Sequence, residues 1–369
     1  MQGWQQDVSK EFRQSAELVF VFGDRSALET QKNFDEIKRA YPKASIVGCS
    51  SSGEILDTQV TEGCLVTTAV ILERSQFKLA QATIENPKDS FAVGQGLARS
   101  LDLSGLVHVL VLSDGLKVNG SELVKGLRTC LPSTGITGGL AGDGTAFKKT
   151  LVCSGVSPES GKVVAIGFYG RYLKVGFGSV GGWIPFGPER IMTRSAGNVL
   201  FELDGRPAVD LYKEYLGEKS SDLSANRFYF PLSISLSPSE SGVVRTILSV
   251  NEKDKSLTFA GDVPQGITAR LMKANFQHLV EGSANAAKTS SHAMEGESPD
   301  LAILFSCVGR KIVLDQRVEE EVECIREVFG KRPAITGFYS YGEIGPFNRT
   351  EECQLHNQTM TVTSFYEGR

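Results

Sequence analysis

The residues best suited to hold a ligand lie together in Gly337-Phe-Tyr-Ser-Tyr-Gly-Glu343. The glycines permit positive φ and close approach of the backbone. Free N–H groups, and the hydroxyls of Tyr339 and Tyr341 on either side of Ser340, would meet a polar ligand. If the strand continued, both rings would fall on one side, because strand side chains alternate. Glu343, next to Gly342, would accept from an amine or a guanidinium. The competing view is that such loops only close structural repeats.

Other chemistries find less support. Gly176-Phe-Gly178-Ser-Val-Gly181 matches the dinucleotide-binding spacing and follows an expected strand. Gly182-Trp-Ile-Pro185 after it cannot open the helix whose N-terminus would hold a pyrophosphate. No P-loop, H-E-x-x-H or G-x-S-x-G pattern occurs. Cys49 and Cys307 sit at expected strand ends, where a nucleophile of a Cys hydrolase could sit, but a cysteine is more often simply buried. Cys353 and His356 could offer two metal ligands with no clear third or fourth. C-x-x-C-H is absent, and a non-covalent haem needs only one axial histidine, so composition leaves haem open. His108 lies inside an apolar run and reads as structural, and His292 as solvated.

The elements that must position these residues form a repeat. Ile46-Val-Gly-Cys-Ser-Ser-Ser-Gly-Glu-Ile55 and Ile335-Thr-Gly-Phe-Tyr-Ser-Tyr-Gly-Glu-Ile344 share six of ten positions. Ile136-Thr-Gly-Gly-Leu-Ala-Gly-Asp-Gly144 is a looser copy. Each follows a buried apolar run (Leu18–Asp24, Val107–Asp114, Leu301–Cys307) and a helical pattern stopped by Pro42, Pro132, or Gly330 and Pro333. A strand–helix–strand unit repeated in this way favours parallel pairs with right-handed crossovers. Between the units, 63–72, 163–178 and 228–260 are rich in β-formers, and Asn251–Lys255 reads as a hairpin turn. Helices are expected at Pro207–Leu216 and Ile267–Leu279, and an exposed helix end and loop over Gly282–Pro299. The fold class is α/β: repeated strand–helix–strand units, sheets flanked by helices, antiparallel hairpins, and two domains with a boundary near Gly205.

A chain of 369 residues with net charge −4 and 41% hydrophobic content is an ordinary globular protein, with no basic stripe for nucleic acid. The apolar runs fall short of the ~20 residues of a membrane span, and residues 1–7 lack a signal-peptide pattern. Seven widely spaced cysteines fit reduced thiols. A cytoplasmic location without membrane insertion is expected.

Taken in order, several motifs resemble the FIST domains. Ile335–Gly345 followed by Cys353-Gln-Leu-His-Asn-Gln-Thr-Met-Thr361 is similar to the ending of the C-terminal FIST domain. Ile46–Glu54, Gly138–Asp143 and Gly182-Trp-Ile-Pro-Phe-Gly187 resemble the N-terminal one. Leu203–Ala208, Thr258–Asp262 and Phe305–Arg310 fill in the rest. The resemblance implies FIST domains at 1–204 and 205–369, and a non-enzymatic sensor of amino acids or similar metabolites. It also implies a separate signalling partner, a histidine kinase or a cyclic-di-GMP enzyme. Some family members are haem-binding nitric-oxide sensors that regulate a histidine kinase, which makes haem the leading alternative cofactor. His356, inside a family motif, is then the candidate metal ligand. The pocket is expected at Tyr339, Tyr341, Gly342, Glu343, His356 and Asn357.

Overall fold

The computed structural model describes residues 8–235, 242–348 and 350–368; the segment 1–7, read for targeting signals, lies outside them. The apolar runs form the expected strand–helix–strand units: β1 (Leu18–Gly23), α1 (Gln31–Ala40) and β2 (Ser45–Ser50); β3 (Leu106–Ser113), α2 (Gly120–Cys130) and β4 (Gly135–Leu140); β5 (Leu301–Cys307), α3 (Val308–Leu314), α4 (Glu320–Phe329) and β6 (Ala334–Ser340). Within each unit the two strands pair in parallel. On the free side of β1, β3 and β5 lies an antiparallel strand, Leu65–Val70, Lys162–Tyr169 and Met360–Glu367 respectively.

The remaining edges are closed by exchange. Val152–Ser154, which follows the second unit, pairs with β2 of the first. Glu54–Leu56 from the first unit pairs with β6 of the third. β7 (Gly342–Gly345), from the third, pairs with β4 of the second. Each unit thus completes another's sheet, and no open edge is left beside β2, β4 or β6. Phe20, Phe22, Leu110, Leu112, Ile303, Phe305 and Phe338 fill the core where the units meet. The helices lie outside it, with Phe34 and Ile37 of α1 and Ile325 and Phe329 of α4 buried against their own sheets.

The Ile-x-Gly motif has its physical reason here. A Cβ on Gly48 would lie 1.8 Å from the Val21 carbonyl oxygen, on Gly138 1.9 Å from that of Val111, and on Gly337 2.1 Å from that of Leu304. Only glycine lets the second strand approach the first this closely.

A second body is a curled antiparallel sheet drawn from strands between Ile184 and Lys273, with its own core around the helix Ala208–Leu216. Asn251–Lys255 turns between Ile247–Asn251 and Ser256–Phe259, as expected. Strands on both sides of the expected 204/205 boundary pair in this one sheet: Ile184–Ala196 with Thr268–Lys273, and Val199–Leu203 with Ser256–Phe259. The helix expected over Ile267–Leu279 is instead the strand Thr268–Lys273 followed by the helix Phe276–Ser291. Asn275 starts that helix by accepting from the His278 N–H. The stretch expected to be exposed buries Gly282, Ser283, Ala286 and Ala287. Gly176 and Gly178 allow the contact: a Cβ on either would meet the Ser290 or Ala286 carbonyl oxygen at 2.0 or 2.6 Å. The glycines that mimic a dinucleotide fingerprint thus serve helix packing. No helix among the described residues is long and apolar enough to cross a membrane.

Candidate functional site

The ends of β2, β4 and β6 meet, and their loops bind one another. The Ser52 N–H donates to the Tyr339 carbonyl at 2.8 Å, Tyr341 N–H to Leu140 at 3.1 Å, and Gly142 N–H to Ser50 at 2.9 Å. The repeated Ser and Glu form the same bond twice, Ser51 Oγ to Glu54 and Ser340 Oγ to Glu343, each 2.5 Å. The N–H groups expected to meet a ligand therefore close a ring of backbone bonds.

Of the six residues expected to form a pocket, Tyr341, Gly342, Glu343, His356 and Asn357 lie together, Glu343 opposite His356 on paired strands and Asn357 against Tyr341, whereas Tyr339 lies apart. β6 ends at Ser340 and β7 joins another sheet, so Tyr339 and Tyr341 do not share a face. Tyr339 is fully buried and donates to Glu321 at 2.7 Å. Glu321 also accepts from Ser306 Oγ at 2.9 Å and from Arg310 Nε at 3.0 Å and Nη2 at 2.8 Å. Arg310 reaches on to the carbonyls of Gly181 and Leu279. This buried pair ties α3, α4, β6 and the helix Phe276–Ser291 together. Glu343 is fully buried, accepts from Ser340 and from the Thr359 N–H and hydroxyl, and is pushed up to about 8 by burial. Gly342 lies against Leu355 and Leu140. Asn357 donates to the Tyr341 carbonyl at 3.4 Å, and its Oδ1 has no partner.

His356 is fully buried, with Nε2 2.6 Å from the Gly345 carbonyl and its ring 4.3 Å from that of Phe347. Burial, then the Arg245 charge, holds it down at about 4. It does not line either cleft described below, so these residues do not fit a haem with His356 as axial ligand. Among the described residues no group of three or more His, Cys, Asp or Glu is placed to hold a metal ion. Cys49 and Cys307 are buried, and burial pushes both thiols up, helped for Cys307 by the neighbouring Glu343; neither is poised as a thiolate.

Opposed burial effects give this core a pH signature. His108 (held down at about 3 by burial) and His356 stay neutral in the fold, so stability is lost as pH falls below the ordinary 6.5 toward those values. Glu343 keeps its proton in the fold up to about 8, whereas the unfolded chain ionises near 4.5. Stability therefore falls as pH rises between these values and levels off above them. Between pH 6.5 and 8 the rise contributed by the imidazoles fades while the fall contributed by Glu343 persists, so stability falls across this window. Urea unfolding of Glu343→Gln should lack that fall; an unchanged slope would show that Glu343 ionises normally.

Of the six, Tyr341 lines a cleft. Its hydroxyl donates to Asp143 and reaches the Gly144 carbonyl at 3.1 Å. The Phe147 ring stacks on it, centroids 4.5 Å apart at 15°. Gly115, Leu116 and Val118 follow β3, Leu140 ends β4, and Cys307 and Val308 join β5 to α3. Phe228, Thr246, Leu248 and Ala260 come from the curled-sheet body. The cleft is small, about 70 Å³, and opens to solvent. It sits at the carboxyl ends of parallel strands and between two cores, both common places for ligand sites. Thr246 is 4% exposed and its hydroxyl has no partner.

A larger cleft, about 250 Å³ counted in the same way, opens at the opposite strand ends around Phe20, Phe168 and Phe365. There Arg332 pairs with Asp300, and Glu367 accepts from the N–H groups of Glu73 and Arg74. The Tyr341 cleft, with its unsatisfied hydroxyl, is the stronger candidate. Sequence reasoning reached Tyr341 and weighed Cys307 only as a nucleophile. It missed Phe147, Phe228 and Thr246, which no motif spacing links to Tyr341.

The chain matches the FIST N domain over residues 17–206 and the FIST C domain over 208–346. An uncharacterized protein of Methanocaldococcus jannaschii is 23% identical over 92% of this chain and 71% of its own length. Uncharacterized proteins of Mycobacterium bovis and Mycobacterium tuberculosis are 25% identical over 70% of this chain and 67% of their own length. A solved cyanuric acid hydrolase from A. caulinodans aligns over 80% of this chain and all of its own, at 11% identity and a TM-score of 0.19.

Proposed function

This chain belongs to the FIST family, a family of sensory domains in signalling proteins, and from that premise we propose that it binds a small metabolite in the Tyr341 cleft and reports it to a separate signalling protein. The observation that carries this reading is the aromatic-walled cleft with one unsatisfied hydroxyl, set where the two bodies meet. A ligand there touches both bodies, so it can favour one arrangement of them over another and shift their populations. The family resemblance supports amino acids or similar metabolites as ligands, and a histidine kinase or a cyclic-di-GMP enzyme as partner.

The test is a thermal-shift screen of small metabolites, with amino acids and uncharged aromatic and aliphatic compounds among them. A ligand at a hundred times its Kd raises stability by about 2.7 kcal/mol. Ala260→Phe, which fills the cleft, should abolish the shift. No hit, or a hit indifferent to Ala260→Phe, would count against the cleft. Thr246→Val separates binding from folding: because the hydroxyl has no partner, stability should stay within about 0.5 kcal/mol of the parent. A loss beyond 1 kcal/mol in urea unfolding would mean the hydroxyl is already used in the fold.

A further inference from the structure

We infer that the cleft takes an uncharged small molecule with a flat apolar or aromatic body and one hydrogen-bonding group, in place of a zwitterionic amino acid. The inference rests on the cleft being the ligand site, and it narrows the chemistry of what enters. Among the described residues, no charged side chain lines the cleft. Three charged residues that touch or adjoin lining residues are engaged. Asp143 accepts from the Tyr341 hydroxyl and from the N–H groups of Lys148 and Lys149. Arg245, next to Thr246, is buried and donates to the carbonyls of Leu355 and Asp262. Arg227 lies over the Phe228 ring, 4.5 Å from its centroid, outside the lining. An ammonium or carboxylate entering here would lose its hydration without finding an ion partner.

The walls suit the opposite kind of guest. The Phe147–Tyr341 stack and Phe228 offer aromatic surface, and Leu248 and Val308 add aliphatic surface. Leu116 is 38% exposed beside the cleft, apolar surface that a bound body would cover. The Tyr341 hydroxyl is occupied, and Thr246 is a lining residue whose buried Oγ1 has no partner. A hydroxyl both donates and accepts, so it matches an alcohol, phenol or amide group on the guest.

Four probes with one phenyl body test this: 2-phenylethanol (neutral), 2-phenylethylamine (cation), phenylacetate (anion) and phenylalanine (zwitterion), each by calorimetry and thermal shift. The expected result is saturable binding of 2-phenylethanol, with the three charged probes at least about 100-fold weaker. Thr246→Val should weaken 2-phenylethanol by about 5-fold and Ala260→Phe should abolish its binding. If phenylalanine or either ion binds as tightly as the alcohol, and Ala260→Phe removes that binding, the charge inference falls while the cleft stands. If no probe binds, or binding survives Ala260→Phe, this inference falls, and the metabolite screen decides the cleft separately.

Discussion

Glu321→Gln should destabilise the protein by about 3–5 kcal/mol, because it leaves the buried Arg310 guanidinium without its counter-charge. Both side chains are fully buried. The bonds from Tyr339, Ser306 and Ser283 to Glu321 weaken at the same time, and all of them link separate elements. A double-mutant cycle with Arg310→Met isolates the pair, and its coupling should exceed about 2 kcal/mol. Urea denaturation measures both quantities. A loss below 1 kcal/mol for Glu321→Gln would mean that water reaches the pair and that Tyr339 belongs to an open site after all.

Gly48→Ala should cost more still, about 4 kcal/mol or more, or leave no folded protein to measure. The new methyl group would sit 1.8 Å from the Val21 carbonyl oxygen, in the parallel ladder of β1 and β2, where both partners are backbone. A flexible side chain could step aside from such a contact, but a paired strand cannot without losing its ladder. Gly96→Ala is the contrast. Gly96 lies in the helix Ser90–Arg99 with open space around its Cα, so alanine should stabilise by up to about 1 kcal/mol. Equal thermal shifts for the two variants would contradict the account of the repeat glycines.

The sequence made these strands legible because they are short apolar runs closed by glycine and followed by helices with a regular buried face. It also carried the threefold repeat. What it could not carry was the exchange of strands between units. Pairing of Glu54–Leu56 with β6 and of β7 with β4 depends on where the units sit, and no local pattern encodes that. For the same reason Tyr339 and Tyr341, two residues apart, end in different surroundings. Spacing placed them on one side only for a strand that continues, and the chain changes sheets at Tyr341. The helix Phe276–Ser291 was misjudged because its buried face is built of Gly, Ser and Ala, which read as exposed until Gly176 and Gly178 are seen facing them. Phe147, Phe228 and Thr246 come from far apart in the chain, and nothing short of the fold brings them to Tyr341.

The most direct measurement is a crystal structure of the protein with its strongest thermal-shift ligand. The account predicts density between the Tyr341–Phe147 stack and Phe228, with a polar ligand atom within about 3 Å of Thr246 Oγ1. Density in the cleft around Phe20 and Phe365, with the Tyr341 cleft unchanged, would contradict it.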